Sequence, residues 1–246
     1  MRRNIAAGNW KMNTTVRQGL DLVDALTQNQ LPGNVEVIIC APATHLSSLI
    51  GKPGVNIGAQ NMYHQDKGAF TGEVSAEMLK DLGVDYVLIG HSERRELFGE
   101  DDEMLSLKLN QALKNNLLPI FCFGEPLNIR KDGSHITYVR KQLEAGLFHL
   151  SPEQMDKVIL AYEPIWAIGT GETATPDQAQ EMHAAIRQML EEKYGEQTSQ
   201  NTSILYGGSV KPANAKELFA KPDVDGGLVG GASLNADGFA EIANSF

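Results

Sequence analysis

The sequence predicts an α/β fold, a single-domain (β/α)8 barrel of eight parallel strands ringed by helices, spanning residues 1–246. Three observations predict it. Eight times a short apolar run is followed by a loop and then by a segment of 3.6-residue period. The runs are continuous rather than alternating, so both faces of each strand are buried, as in a parallel sheet covered by helices. The length of 246 residues matches the roughly 250 that a closed barrel needs, and no Pro-, Gly- or charge-rich linker divides the chain. A doubly wound open sheet is the alternative, and eight units favour closure.

The strand-like runs are Asn4 to Asn9, Val35 to Cys40, Asn56 to Ala59, Tyr86 to Ile89, Pro119 to Phe123, Val158 to Tyr162, Ile204 to Tyr206 and Val224 to Val229. Helical periodicity is clearest at Leu105, Leu109, Ala112 and Leu113, and at Ala179, Met182, Ile186, Met189 and Leu190, each set forming one buried face. Thr15 with Gln18, Ser151 with Glu153 and Gln154, and Thr175 with Gln178 have the spacing of N-caps or capping boxes, two of them followed by Pro at the first helical position. From Gln60 to Glu73 lies a loop of 14 residues where two to six are usual. Its Tyr63, Phe70 and glycines are too apolar for a disordered tip and read as a loop docking on a partner subunit or packing on itself.

A hydrophobic content of 42% with 24 Gly and 10 Pro describes a globular chain with a sizeable core. No apolar run approaches the roughly 18 residues of a membrane helix, and Met1 to Ile5 lead into a strand without a leader's apolar region, so a cytoplasmic protein without membrane attachment is expected. A net charge of -10 argues against nucleic-acid binding. An anionic substrate would then need local positive potential from a lysine or from backbone N–H groups. Cys40 and Cys122 sit inside apolar runs and read as buried reduced thiols.

In a barrel the active site lies at the strands' C-terminal ends, so the residues that follow each run are the candidates. They are Asn9, Trp10 and Lys11 after the first run, His91 and Ser92 after the fourth, and Glu163 after the sixth. Gly207-Gly208-Ser209 follow the seventh and Gly230-Gly231 the eighth. Glu163 reads either as a salt-bridge partner at a strand end or as a general base. The Pro164 to Gly171 stretch that follows, with Trp and Ile to bury and glycines to absorb backbone change, has the composition of a lid. His91 precedes a short charged segment, and a histidine at a helix N-terminus is held neutral by the helix dipole. Lys11 reads as a solvated lysine or as the cation of an anion site. Ser209, Gly230 and Gly231 stand where barrels build phosphate sites from main-chain N–H groups, or else form tight turns.

Two patterns are set aside. Gly169-x-Gly171-x-x-Ala174 matches a dinucleotide fingerprint but follows the sixth strand at a distance instead of opening the first βα unit. Asn13-Thr14-Thr15 and Asn201-Thr202-Ser203 are glycosylation sequons without a secretion signal. There is no Walker motif, CxxC or histidine cluster, hence no support for a metal.

Together Gly8-Asn9-Trp10-Lys11-Met12-Asn13, Gly90-His91-Ser92-Glu93-Arg94-Arg95, Ala161-Tyr162-Glu163-Pro164-Ile165-Trp166-Ala167-Ile168-Gly169-Thr170-Gly171, Tyr206-Gly207-Gly208-Ser209-Val210 and Gly230-Gly231-Ala232 resemble the triosephosphate isomerases, over the whole chain. The resemblance implies a TIM barrel that interconverts dihydroxyacetone phosphate and D-glyceraldehyde 3-phosphate through an enediolate, an aldose–ketose isomerase of glycolysis and gluconeogenesis with no cofactor and no metal. It implies Glu163 as base, neutral His91 as electrophile, Lys11 stabilising the oxyanion and Asn9 bonding to the substrate. Gly169, Ser209, Gly230 and Gly231 would bind phosphate. It further implies a homodimer whose Gln60 to Glu73 loop, with Thr71 near its tip, reaches the partner's Asn9 and Lys11. Glu93 and Cys122 match structural positions beside the site. The chain departs from the common pattern at Glu172, where Lys is frequent, and at Asn128, where Glu is common. A different phosphate-binding barrel enzyme would share the glycine loops without needing Asn9, Lys11, His91 and Glu163 together. A catalytically silent dimeric binding protein would have lost one of them.

Overall fold

A computed structural model describes residues 2–169 and 172–246. Eight parallel strands pair in chain order and close on themselves: β1 Asn4–Asn9, β2 Val35–Ala41, β3 Asn56–Ala59, β4 Tyr86–Ile89, β5 Leu118–Phe123, β6 Ile159–Tyr162, β7 Ile204–Tyr206 and β8 Gly226–Val229. The closing pair is β1 with β8, in register from Ile5↔Gly226 to Gly8↔Val229.

The alternation of side chains explains why the strands read as unbroken apolar runs. Ile5, Ala7, Ile38, Cys40, Leu88, Ile120, Cys122, Ile159, Ala161, Leu205 and Leu228 form a cluster of their own inside the barrel. Their neighbours Ala6, Val37, Ile39, Val87, Phe121, Leu160, Tyr162, Ile204 and Val229 join the helices in a second cluster. Both faces are buried, so the strands are filled chiefly by apolar side chains. The predicted helix faces belong to the outer cluster, with Leu105 and Leu109 from helix Asp102–Lys114 and Met182, Ile186 and Leu190 from helix Pro176–Tyr194. All three predicted capping boxes are present, at Thr15, Ser151 and Thr175.

Boundaries differ from the sequence expectation where single side chains intervene. β8 begins at Gly226, not Val224: Asp225 still bonds through its backbone to Ile204 and Ile5, while its carboxylate accepts from Ile204 N and Arg187. Gly226 has φ 138, and any Cβ there would overlap the Ile5 carbonyl, so the strand can start only with glycine. The long loop runs on through Val74 to Ser75, whose Oγ accepts from Met78 N and caps helix Ala76–Asp81. Short helices Leu127–Lys131, Pro152–Met155 and Glu196–Asn201 add to the one-helix-per-strand pattern.

The N-terminal end of the barrel is closed by paired charges. Arg187 donates to Asp223 Oδ1 at 2.7 Å, Asp225 Oδ2 at 2.8 Å and the Ser199 carbonyl at 2.7 Å. Burial pushes the Asp225 carboxyl up, while the Ile204 N–H and the charges of Arg187 and Arg2 act against it. Glu36 bonds to Arg3 at 2.9 Å and accepts from the Tyr86 hydroxyl. Among the described residues no helix is long and apolar enough to cross a membrane.

Candidate active site

At the opposite rim, Glu163 follows β6 directly and is 1% exposed. Its backbone N–H continues the ladder to the Phe123 carbonyl at 2.7 Å, and Gly207 N does the same to the Tyr162 carbonyl at 2.7 Å. Glycines on both neighbouring strand ends make room for it. A Cβ on Gly124 would overlap the Glu163 carbonyl, and one on Gly207 would stand 2.8 Å from Glu163 Cγ. Glu163 Oε2 accepts from Ser92 N at 2.8 Å, at the N-terminus of helix Ser92–Phe98, where a negative charge is favoured. Oε1 stands 3.1 Å from His91 Nε2, without the alignment of a hydrogen bond.

His91 is the N-cap of that helix, and its Nδ1 accepts from Glu93 N at 3.2 Å. A ring nitrogen that accepts carries no proton, so the imidazole is the neutral tautomer with its proton on Nε2, the atom facing Glu163. The charged segment predicted to form a short helix therefore sets the tautomer.

Asn9 ends β1 and is 5% exposed. Its Oδ1 accepts from Lys11 N at 2.9 Å, while Gln60 Nε2 donates to the Lys11 carbonyl at 2.8 Å. Between these two clamps Lys11 adopts φ 51, a left-handed backbone that costs a non-glycine residue on the order of 1 kcal/mol and tends to mark functional sites. Lys11 Nζ bonds to Glu93 Oε1 at 2.5 Å, and a Cβ on Gly230 would lie 3.6 Å from Lys11 Cε. The lysine stem thus runs along the β8 loop.

These groups share a cavity of about 500 Å³, lined by Asn9, Lys11, His91 and Glu163 together with Gly169, Ser209, Gly230 and Gly231. All eight site residues expected from the sequence meet there. Leu228, an interior residue of β8, lines it too. The Gly230 carbonyl accepts from Ser233 N at 2.8 Å and Ser233 Oγ at 2.7 Å. Gly208 packs on the Tyr206 hydroxyl so closely that it has no room for a side chain.

The segment after Glu163 turns through a 3-10 helix, Ile165–Ala167, and reaches Gly169 at φ 69. Thr170 and Gly171, the end of the expected lid and part of the rejected dinucleotide pattern, lie outside the described residues. Trp166 Nε1 donates to Glu125 Oε1 at 2.9 Å, and the Tyr162 hydroxyl donates to the same oxygen at 3.0 Å. Burial pushes the Glu125 carboxyl up, and the two donors act against it.

A model of the triosephosphate isomerase family matches residues 4–246. The chain belongs to the triosephosphate isomerase family. It is 53% identical over 251 residues to the triosephosphate isomerase of Cytophaga hutchinsonii. It is 52% identical over 252 residues to that of Bacteroides fragilis and 49% identical over 247 residues to that of Alkaliphilus metalliredigens. The first two alignments cover 100% of both chains, and the third covers 99% of this chain and 100% of the relative.

Against the family pattern, Asn128 is exposed on helix Leu127–Lys131, two residues before Arg130, which bonds to Glu181 at 2.7 Å. Cys40 and Cys122 are free and buried, and burial pushes the Cys40 thiol up to about 12. Of the sequons, Thr202 is 1% exposed and the Asn13 amide already donates to the Trp10 carbonyl at 2.7 Å. Among the described residues, no group of three or more His, Cys, Asp or Glu is placed to hold a metal ion. Sequence reasoning missed Ser92 N, Gln60 and Glu125. Ser92 acts through its backbone N–H, and Gln60 acts through its side-chain amide on the Lys11 carbonyl. Glu125-Pro126 repeats the Glu163-Pro164 pattern one strand earlier, and that signal could have found the third.

Proposed function

We propose that this chain interconverts dihydroxyacetone phosphate and D-glyceraldehyde 3-phosphate, the reaction its relatives are named for, with the roles distributed as follows. Glu163 takes a proton from the carbon beside the carbonyl and returns it to the neighbouring carbon. His91, through the proton on Nε2, polarises the carbonyl and moves protons between the two oxygens of the enediolate. Lys11 Nζ supplies positive charge to the oxyanion, and Asn9 orients the substrate, so the charge that develops meets groups already in place. The chemistry moves protons only and calls for neither cofactor nor metal.

The observation that carries this reading is the Glu163–His91 contact of 3.1 Å in a cavity shared by Lys11 and the glycine loops. A carboxylate at the end of a dry barrel, with a neutral imidazole beside it and a cation in the same cavity, suits proton abstraction next to a carbonyl. Ser209, Gly230, Gly231 and Gly169 then hold the phosphate by main-chain N–H groups, which is how a chain of net charge -10 accepts an anion. The segment that begins at Pro164 closes over the site and excludes water from the enediolate.

The reading extends to a homodimer of single-domain chains, 1–246, in the cytoplasm, with neither membrane nor nucleic acid as partner. Met12, Leu97 and Phe98 are 96%, 71% and 65% exposed. A second cavity of about 250 Å³ lies between Asn9, Lys11, Met12, Glu93 and Phe98, where the tip of a partner's Gln60 to Glu73 loop, with its Thr71, would fit. Light scattering tests assembly: a dimer at micromolar concentration is expected, and a stable, fully active monomer contradicts it. A coupled assay with glyceraldehyde 3-phosphate tests the reaction. Turnover by the wild type and its near-complete loss in Glu163→Gln are expected; absence of wild-type turnover, or full activity in the variant, overturns the proposal.

A further inference from the structure

The geometry points to Arg95 as a positioning residue that fixes the spacing between His91 and Glu163 from behind the site. The inference rests on the roles proposed above for those two groups. Arg95 lies in helix Ser92–Phe98, one turn beyond His91, and does not line the cavity. Nε donates to the Gly90 carbonyl at 2.9 Å, Nη2 to the Cys122 carbonyl at 3.0 Å and Nη1 to Asp102 Oδ1 at 2.6 Å. The guanidinium also lies 5.9 Å from the centre of the Phe121 ring.

The two carbonyls need this donor because the sheet ends between them. The last paired residues of β4 and β5 are Ile89 and Phe121. Past that point β4 turns at Gly90, with φ 79. In a parallel strand successive carbonyls face opposite neighbours. The Phe123 carbonyl faces β6 and accepts from Glu163 N, so the Cys122 carbonyl, one residue back, faces β4, which has already turned away. One planar guanidinium spans the gap with two donors in fixed relation, a geometry that lysine's single ammonium does not reproduce.

The consequence is a continuous path from one reacting group to the other. Gly90 is bonded to His91, and its carbonyl is held by Arg95. Arg95 holds the Cys122 carbonyl, and Phe123, the next residue, holds Glu163 by its backbone. Releasing Arg95 frees the strand ends to shift relative to each other. Displacements of about 1 Å cost up to about 100-fold in rate when they separate reacting groups.

The test is Arg95→Lys, which keeps the charge beside Asp102 but reaches one carbonyl at most, with Arg95→Met as the fuller loss. Expected for Arg95→Lys is a kcat lower by about 10- to 100-fold with KM within about twofold, since the loss falls on the transition state. Nitrogen-15 NMR of His91 in the resting enzyme, without substrate, should also show the single Nε2–H tautomer of the wild type giving way to exchange. A purely structural role would lower the unfolding temperature while leaving kcat per folded enzyme and the His91 spectrum unchanged, and that result overturns the inference. So does a kcat loss with an unaltered His91 spectrum. Wild-type turnover, measured first, separates this from the proposed reaction: an active wild type with an unaffected Arg95→Lys removes only the positioning role.

Discussion

Both ends of the barrel carry charged side chains and treat them differently. At the N-terminal end, Arg187 is 5% exposed and spends its donors on Asp223, Asp225 and the carbonyls of Ser199 and Thr202. At the C-terminal end, Glu163 keeps Oε1 next to His91 without a hydrogen bond, and Lys11 is held at φ 51. Saturated partners make the first end a fastener. The second end keeps donors and acceptors in reserve, and its strain and unspent polar capacity are what a reacting group would use.

That difference predicts opposite responses to loss of a cation. Lys11→Met should lower kcat/KM by about 10³-fold, the scale of losing one preorganised stabiliser of an oxyanion. Its unfolding free energy should stay within about 0.5 kcal/mol, because its ion pair with Glu93 is partly exposed to solvent. Arg187→Met should do the reverse, losing about 3 to 5 kcal/mol of stability in urea unfolding by stranding buried Asp225, with kcat of the folded enzyme unchanged. A Lys11 variant that unfolds, or an Arg187 variant that is stable and inactive, would break the contrast.

A smaller effect comes from between the two ends. His183 is fully buried against Tyr162 and Tyr206, 5.8 and 6.4 Å between ring centres, and burial lowers its pKa from 6.5 to about 4. The folded protein therefore binds this proton less readily than the unfolded chain does. Stability that is present above the unfolded value of 6.5 is lost as pH falls towards about 4, by roughly 3 kcal/mol in all. Glu36, Glu125 and Asp225 are shifted up, so their contribution has the opposite sense: present at low pH and lost as pH rises through the folded value. The wild type minus His183→Gln difference in unfolding free energy isolates the histidine and should narrow below pH 6.5. A difference independent of pH contradicts the assignment.

The smallest expected effect is Trp166→Phe, which removes the 2.9 Å bond to Glu125 and leaves the Tyr162 donor in place. About 1 kcal/mol of stability should be lost in thermal unfolding, and kcat should change less than for either residue of the Glu163–His91 pair.

The fold was legible because burial on both faces leaves a strong trace: eight apolar runs, each ending where a polar or small residue must stand on the rim. The site was legible for the same reason, since Asn9, His91 and Glu163 are the first polar side chains after dry strands. What escaped reading depends on direction rather than composition. Glu125-Pro126 and Glu163-Pro164 look alike in sequence. Yet Glu163 enters the cavity, whereas Glu125 meets Tyr162 and Trp166 behind it. Backbone partners such as Ser92 N and the carbonyls held by Arg95 leave no residue-type signal at all. The β8 boundary differs by two residues because Val224 and Asp225 look like strand in sequence, while regular pairing with β1 begins only at Gly226.

The central claim is that Glu163 transfers a proton at the C-terminal rim. It is tested most directly by following dihydroxyacetone phosphate in D2O by proton NMR with the wild type and with Glu163→Gln. Conversion to glyceraldehyde 3-phosphate with solvent deuterium entering the carbon skeleton, lost by about 10³-fold in the variant, is the result expected of a general base. Equal exchange in both proteins, or conversion by neither, would contradict it.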